Sequence, residues 1–487
     1  NVAVALADDL HKGETVEVDG VGVTLRDDIA RGHKFALRDI AAGENVVKYG
    51  YPIGHATQDV PQGGWIHSHN LKTNLRDDLE YTYAPKVYDV AYPRRDAKVM
   101  GYLRKNGAMG IRNELWIVPS VGCVNGQAQA IAERVKRECD CSHLDDVRVY
   151  THNYGCSQLG DDHANTQRAL AALVRHPNAG AVLVLGLGCE NNQVSALKEV
   201  IGEWDDERVK FLVAQEVEDE IEAGFEICRE LVGKTKADKR QPLPLAYLKV
   251  GLKCGGSDGF SGISANPVIG EVSDRVVTLG GGSALAEFPE LCGGEANMIS
   301  RCIRKEDKAR FLELMRRYEA AANACGASIS DNPSPGNIHD GLITDAIKSA
   351  GAAKKGGKAP ISAVLDYAEP MPDSGLSLVC TPGNDVEAVT GLVAAGVNVV
   401  LFSTGLGTPT GNPIVPVIKV ATNTAVAGRL RDLIDFDCGP IIDGEPIAAA
   451  ADRLLEKVLD TASGRYSTKA DRLGQHDFLF WKREVSL

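Results

Sequence analysis

Aromatic residues are scarce in this chain, basic residues do not outnumber acidic ones, and no long apolar stretch runs through it. Phe, Trp and Tyr make up 6% of the 487 residues, too few for a platform that stacks nucleobases. Lys and Arg number 53 against 66 Asp and Glu, a formal net charge of −13. That surplus excludes nucleic acid or an anionic membrane as the main partner, because binding a polyphosphate requires a basic face. The longest apolar run, Ala179–Cys189, is broken by glycine and falls well short of the about 20 residues that a membrane helix needs. The opening NVAVALADDL has neither a basic start nor a long apolar stretch, so no export signal is expected and the chain reads as cytoplasmic. No two cysteines have the CxxC spacing of a zinc ribbon. The stretch Thr404–Gly411 does not satisfy the dinucleotide fingerprint GxGxxG between strand and helix. Gly233-Lys234-Thr235 mimics the end of a P-loop, but Cys228 stands where its first glycine must be, so neither a nicotinamide nor an ATP site is indicated.

Glycine and cysteine are present in quantity, 51 and 12 residues. The length implies about three domains, or one large α/β domain with satellites. Short alternating runs (Thr15–Val18, Val21–Leu25, Phe35–Leu37, Asn45–Tyr49) predict an all-β domain over 1–74, small enough that it should dock on its neighbour. A Tyr-, Asp- and Pro-rich stretch, 75–105, is the linker expected from composition. Beyond it, apolar runs Glu114–Pro119, Val147–Thr151, Ala181–Leu187, Leu245–Leu252, Leu376–Cys380 and Val397–Phe402 alternate with the amphipathic helical patterns Gln127–Arg137, Asp162–Val174, Val194–Ile201 and Asp385–Ala395. Such alternation predicts parallel sheets with right-handed crossovers. A soft boundary at ADKRQPLP divides a first α/β domain, 106–240, from a second, 241–487.

Four cysteines each stand just past a predicted strand: Cys123, Cys156, Cys189 and Cys254. An open parallel sheet binds ligands outside the carboxyl ends of its strands. Four thiols converging there would suit a metal or an iron–sulfur cluster, whereas any one alone reads more readily as a core-filling residue. His152 and Tyr154 add an imidazole and a phenol beside Cys156. The turn Cys254-Gly255-Gly256-Ser257-Asp258 has the composition of an anion cradle or of an ordinary strand-to-helix turn. His67 and His69, if extended, share one face of a strand and could ligate a divalent metal, or be two exposed histidines. His33 and Lys34 supply a further base and a cation.

Together these segments resemble the altronate/galactarate dehydratase family. The likeness is carried by RGHKFALRDI (31–40), IHSHN (66–70), GIRNELWIVPSVGCVNG (110–126), HNYGCSQLGDDH (152–163), GLKCGGSDGFSGISANP (251–267) and STGLGTPTGNPIVPVIKVATN (403–423), and runs nearly end to end. IHSHN, CVNG and GCSQLGDDH are closer to the altronate branch than to the galactarate branch. The resemblance implies an α/β protein: a small N-terminal β-clip (SAF-like) domain followed by parallel-sheet α/β domains. It further implies a hydro-lyase that converts D-altronate to 2-dehydro-3-deoxy-D-gluconate in hexuronate (galacturonate) catabolism, aided by Fe²⁺ or Mn²⁺. The alternatives are a related lyase acting on galactarate or a sulfonated hydroxy acid, and a non-catalytic sugar-acid-binding protein. Under this reading His67 and His69 serve the metal, together with Cys123, Cys156, Cys189 and Cys254, which ligate a single iron or a [4Fe–4S] cluster. His152, Lys34, His33 and Tyr154 are the acid–base candidates. Gly255, Gly256, Ser257, Asp258, Thr404 and Lys419 face the substrate. Leu406 departs from the family pattern, which has Arg there in TGRGTP. A homo-oligomer is the default for a soluble enzyme of this size.

Overall fold

Turn residues punctuating short alternating runs give the N-terminal part its all-β form. The computed structural model describes residues 1–7, 10–48, 51–74, 97–332 and 334–483. Strands Val2–Val4, Lys34–Ala36 and Trp65–Ile66 form one antiparallel sheet, and Asn45–Lys48, Tyr51–Ala56 and Leu71–Lys72 a second. Thr15–Val18 and Val21–Thr24 form a hairpin whose Asp19 and Gly20 both have positive φ, 51° and 78°, as a two-residue turn matched to strand twist demands. One apolar cluster of this domain takes in Leu342, Ile343 and Ile347 from far along the chain, so the domain completes its core by docking.

Glu114–Pro119 is buried along its whole length, the signature of a central parallel strand covered on both faces. It lies in a four-stranded parallel sheet ordered Asp146–Val149, Glu114–Pro119, Ala179–Gly186, Val209–Val213. The period of two splits its side chains. Leu115 and Ile117 meet the helices Asn125–Glu138 and Glu220–Thr235, whereas Trp116 and Val118 face Gly160–Arg175 and Val194–Ile201. A seven-stranded parallel sheet follows, ordered Ile361–Leu365, Gly375–Val379, Gly282–Leu285, Lys249–Cys254, Val399–Thr404, Val417–Ala421, Phe436–Asp437. Its Val250, Leu252, Leu401 and Val420 pack on helices Ala265–Thr278 and Ile447–Ala462. Its other face, with Val400, Phe402 and Val417, shares one core with Trp116 and Val118. The two α/β units are thus welded through a common apolar layer.

Two segments differ from expectation. Of the stretch read as a linker, 75–96 lies outside the described residues, and Lys98–Leu103 is a strand between Met109–Gly110 and Gln241–Pro244. Pro242 and Pro244 are accommodated because Gln241–Pro244 is an edge strand, where a missing N–H costs no ladder bond. The apolar run Leu245–Leu252 begins as a 3₁₀ turn, Leu245–Tyr247, and becomes strand only over Lys249–Cys254.

Candidate active site

Three loops leave the carboxyl ends of the four-stranded sheet and interlock. The Gly122 N–H donates to the Tyr154 carbonyl (2.9 Å), those of Asn191 and Asn192 to the carbonyls of Cys156 (3.1 Å) and Gly155 (3.0 Å), and the Asn192 amide to the Ser120 carbonyl (2.8 Å). The buried carboxylate of Glu190 accepts from the Ser120 hydroxyl (2.7 Å) and the Leu187 N–H (3.1 Å). On this frame Cys123, Cys156 and Cys189 are all exposed free thiols. Desolvation raises the Cys123 pKa, and the neighbouring Cys156 and Cys189 raise it further; the three are a group. Gln215 donates its amide to Cys189 Sγ at 3.7 Å.

Cys254 does not join them. It ends the central strand of the other sheet, buried in a charged cluster. Its thiol donates to Glu290 (2.9 Å), and the Lys355 ammonium donates to its Sγ (2.8 Å) and to Glu287 (2.8 Å). Lys253 pairs with Glu287 and with Asp385 (2.7 Å), and Lys348 with Glu290 (3.0 Å). Burial opposes the charge of Lys355, but Cys254, Glu287 and Glu290 outweigh it and hold the amine protonated. Burial also raises the Cys254 thiol to about 12. Glu287 carries this arrangement on a left-handed backbone, φ 72°, a strained conformation for a non-glycine residue. Cys254, Glu287 and Glu290 place their ligand atoms within 4.8 Å of one another, a set that could hold a metal ion. Lys355 already lies among those atoms, and three lysines balance three carboxylates there, so a metal would have to displace an ammonium. The three exposed thiols are soft donors with no ammonium among their hydrogen-bond partners among the described residues, a donor type that suits a soft or borderline metal. Glu287, Glu290, Lys348, Lys355 and Asp385 were not among the residues expected from sequence.

Lys419 lies in the Val417–Ala421 strand, paired with Phe402, which pairs in turn with Lys253. Its Nζ is 3.4 Å from the centre of the Phe402 ring, fully buried and without a hydrogen-bond partner among the described residues. Burial lowers its pKa to about 7.

The Gly255–Asp258 turn packs on the loop after Thr404. Gly405 and Leu406 donate their N–H groups to the Gly256 carbonyl (2.9 and 3.0 Å), Gly255 to Ser403 (3.0 Å), and Asp258 to the Ser261 hydroxyl (3.0 Å). Ser257 is buried, and its carbonyl accepts from Asn337 (2.8 Å). Asp258 accepts from Thr422 (2.8 Å) and Asn423 (3.1 Å). Thr404 accepts the N–H of Gly407 (2.9 Å). The N–H groups of Gly255 and Asp258 are therefore spent inside the fold rather than offered as an anion cradle.

Beside this turn, a cleft of about 450 Å³ opens against the N-terminal domain, lined among others by Arg31, His33, Asp258, Leu406 and Arg429. The His33 Nδ1 accepts from the Trp65 indole (3.3 Å) and its Nε2 meets the His339 carbonyl (3.2 Å). Burial lowers its pKa, with Lys34 adding to the shift. Lys34 itself is buried and donates to the Gly341 carbonyl (2.6 Å), and burial brings it to about 8. His67 and His69 are not on an extended strand: the strand ends at Ile66, and a turn follows in which the N–H groups of Asn70 and Leu71 return to the His67 carbonyl (both 3.0 Å). Both imidazoles pack on Trp65, at 4.9 and 5.2 Å between ring centres. His152 is buried with both ring nitrogens on backbone, Nε2 to the Pro119 carbonyl (2.8 Å) and Nδ1 accepting from Tyr154 N–H (3.2 Å). Tyr154 stacks beside it near Phe480. Its pKa is raised by burial and by Glu387, which puts this loop next to the helix that starts at Asp385.

The same three-part organisation recurs in known proteins. Residues 1–74 match the altronate/galactarate dehydratase SAF domain, 101–236 the D-galactarate dehydratase/altronate hydrolase second domain, and 245–486 the D-galactarate/altronate dehydratase C-terminal region. The chain is 46% identical to an altronate dehydratase of Escherichia coli (strain K12), covering 100% of this chain and 98% of that protein. It is 46% identical to an altronate dehydratase of Bacillus subtilis (strain 168) over 91% of this chain and 89% of that one. Against a galactarate dehydratase (L-threo-forming) of Escherichia coli (strain K12) identity is 34%, over 98% and 94% of the two chains. Similarity over the full length, with all three family regions in order, makes this chain a member of the altronate/galactarate dehydratase family and a dehydratase.

Proposed function

We propose that the chain removes water from D-altronate to give 2-dehydro-3-deoxy-D-gluconate, a step in hexuronate catabolism, with iron held by Cys123, Cys156 and Cys189. The observation that carries the reading is the grouping of three exposed thiols at the carboxyl ends of one sheet; a sugar-acid-sized cleft opens at the end of the other. The higher identity to altronate than to galactarate dehydratases favours altronate as the substrate.

Eliminating water across C2 and C3 of an aldonate needs a base for the C2 proton, an electrophile for the developing enediolate, and an acid for the departing hydroxyl. When bound, iron supplies Lewis acidity toward a substrate oxygen. His33 is the proton-transfer group on the cleft wall: its lowered pKa keeps the imidazole neutral near pH 7, and Trp65 orients the ring. His152 is buried and does not line the cleft; it holds the Cys156 loop instead. The chain divides, on this reading, into 1–74, 106–240 and 241–487.

The test is anaerobic assay with D-altronate and galactarate side by side, with iron and acid-labile sulfide counted in the same preparation. We expect the 2-keto-3-deoxy acid from D-altronate in preference to galactarate. No product from D-altronate in an iron-replete preparation would sink the reading. Serine at position 123, 156 or 189 should lower bound iron, whereas Cys254→Ser should leave it in place. Sulfide in amounts matching iron identifies a cluster, and iron without sulfide a single ion.

A further inference from the structure

The cleft between the N-terminal domain and the seven-stranded sheet carries cations on opposite lips. Arg31 comes from the N-terminal domain, its guanidinium 5.0 Å from the centre of the Phe260 ring. Arg429 ends the short helix Thr424–Arg429 on the other side, exposed, with Nη2 donating to the Leu406 carbonyl at 3.2 Å. Among the described residues no carboxylate pairs with Arg429. The acids that line the same cleft are engaged elsewhere: Asp258 by Ser261, Thr422 and Asn423 (2.9, 2.8 and 3.1 Å), and Asp340 by His339 (3.0 Å). The lining therefore carries both signs, and Arg429 is a cation on it whose hydrogen-bond partner is a neutral carbonyl. At about 450 Å³ the cleft lies in the usual size range of small-molecule sites.

Resting on the reaction proposed above, we infer that Arg429 binds the C1 carboxylate of the sugar acid and that Leu406 beside it restricts the site to monocarboxylates. A guanidinium offers five N–H donors in a planar fork that matches a carboxylate at two points. One bond to the Leu406 carbonyl restrains the Arg429 fork at the cleft lip and leaves further N–H donors for a carboxylate. Leu406 itself, 42% exposed, presents methyl groups where a second carboxylate of an aldarate would need a partner, and an unpaired carboxylate against apolar surface is disfavoured.

Steady-state kinetics on D-altronate with Arg429→Ala and Arg429→Gln decide the matter, with neutral D-altronamide as a competitive probe. A lost charge-assisted contact raises KM about tenfold or more, with a smaller fall in kcat, leaves the inhibition constant of the amide unmoved, and is partly rescued by Arg429→Lys. Leu406→Arg should raise the use of galactarate relative to D-altronate. A KM within about twofold of the unaltered protein in both variants, too small a change for the loss of a charged hydrogen bond, overturns the inference. Equal weakening of acid and amide overturns it too. Binding of D-altronate that depends on Arg429, seen by calorimetry in a protein that does not turn it over, would sink the reaction and keep this inference. Turnover indifferent to Arg429 would do the reverse.

Discussion

His176 is a fully buried imidazole between the two α/β units, with Nε2 on the Val397 carbonyl (3.2 Å) and Nδ1 accepting from Asn178 N–H (3.2 Å). Burial lowers its pKa from 6.5 to about 4. Between these values the unfolded chain binds a proton that the folded chain refuses, so stability rises with pH across that window. The contribution is complete above pH 6.5 and is lost as the pH falls toward 4, a total of about 3 kcal/mol. Urea midpoints measured from pH 7 to 4 should show this fall, and His176→Gln should flatten it. Residue-level chemistry was only partly legible. His33 and Asp258, both singled out from the sequence, line the cleft, but Glu287, Glu290 and Lys355 had no local signature. A carboxylate reads as a solvated surface group until a sheet is seen to cover it, and these residues are brought onto Cys254 from 33, 36 and 101 positions away.

Elements were more legible than their neighbourhoods. Glu114–Pro119 and Val194–Ile201 occur as read, because an unbroken apolar run and a 3.6-residue period have few other solutions. The strands Gly282–Leu285 and Val417–Ala421 were missed: the first is short and glycine-led, and Lys419 interrupts the apolar pattern of the second. Loops at strand ends carry the site, and their shape is equally demanding. Gly155 has φ 95°, and a Cβ there would fall 2.3 Å from the Ser120 carbonyl oxygen. Gly155→Ala therefore strains the backbone by about 1–3 kcal/mol and pushes apart the loops bearing Cys123 and Cys156. Bound iron should fall in this variant while far-ultraviolet circular dichroism stays unchanged. Full iron occupancy would show that the loops tolerate the shift.

At the scale of the whole molecule, the N-terminal domain and the 337–347 region build one wall of the cleft together. Leu342, Ile343 and Ile347 complete the apolar cluster of the β-domain, Thr344 donates to the Ile53 carbonyl (2.9 Å), and Lys34 donates to Gly341 (2.6 Å). Leu342→Asp buries an unpaired carboxylate in that contact, which costs several kcal/mol, of order 3 or more. We expect the domain to undock: a larger radius of gyration in X-ray scattering and at least about a tenfold loss of kcat/KM, one pH-unit equivalent of free energy, with the parallel sheets intact. Unchanged scattering and activity would mean that docking does not shape the cleft. What the sequence determined by itself was the alternation of strand and helix, the β character of the first 74 residues and the placing of four cysteines at strand ends, because these depend on periods of two and 3.6 residues. Which of those strand ends share a crevice was decided only in three dimensions. Cys254 has the same local setting as Cys123, Cys156 and Cys189, but strand order puts it in a different sheet, buried among lysines and glutamates, and long-range pairing leaves no mark on nearby residues.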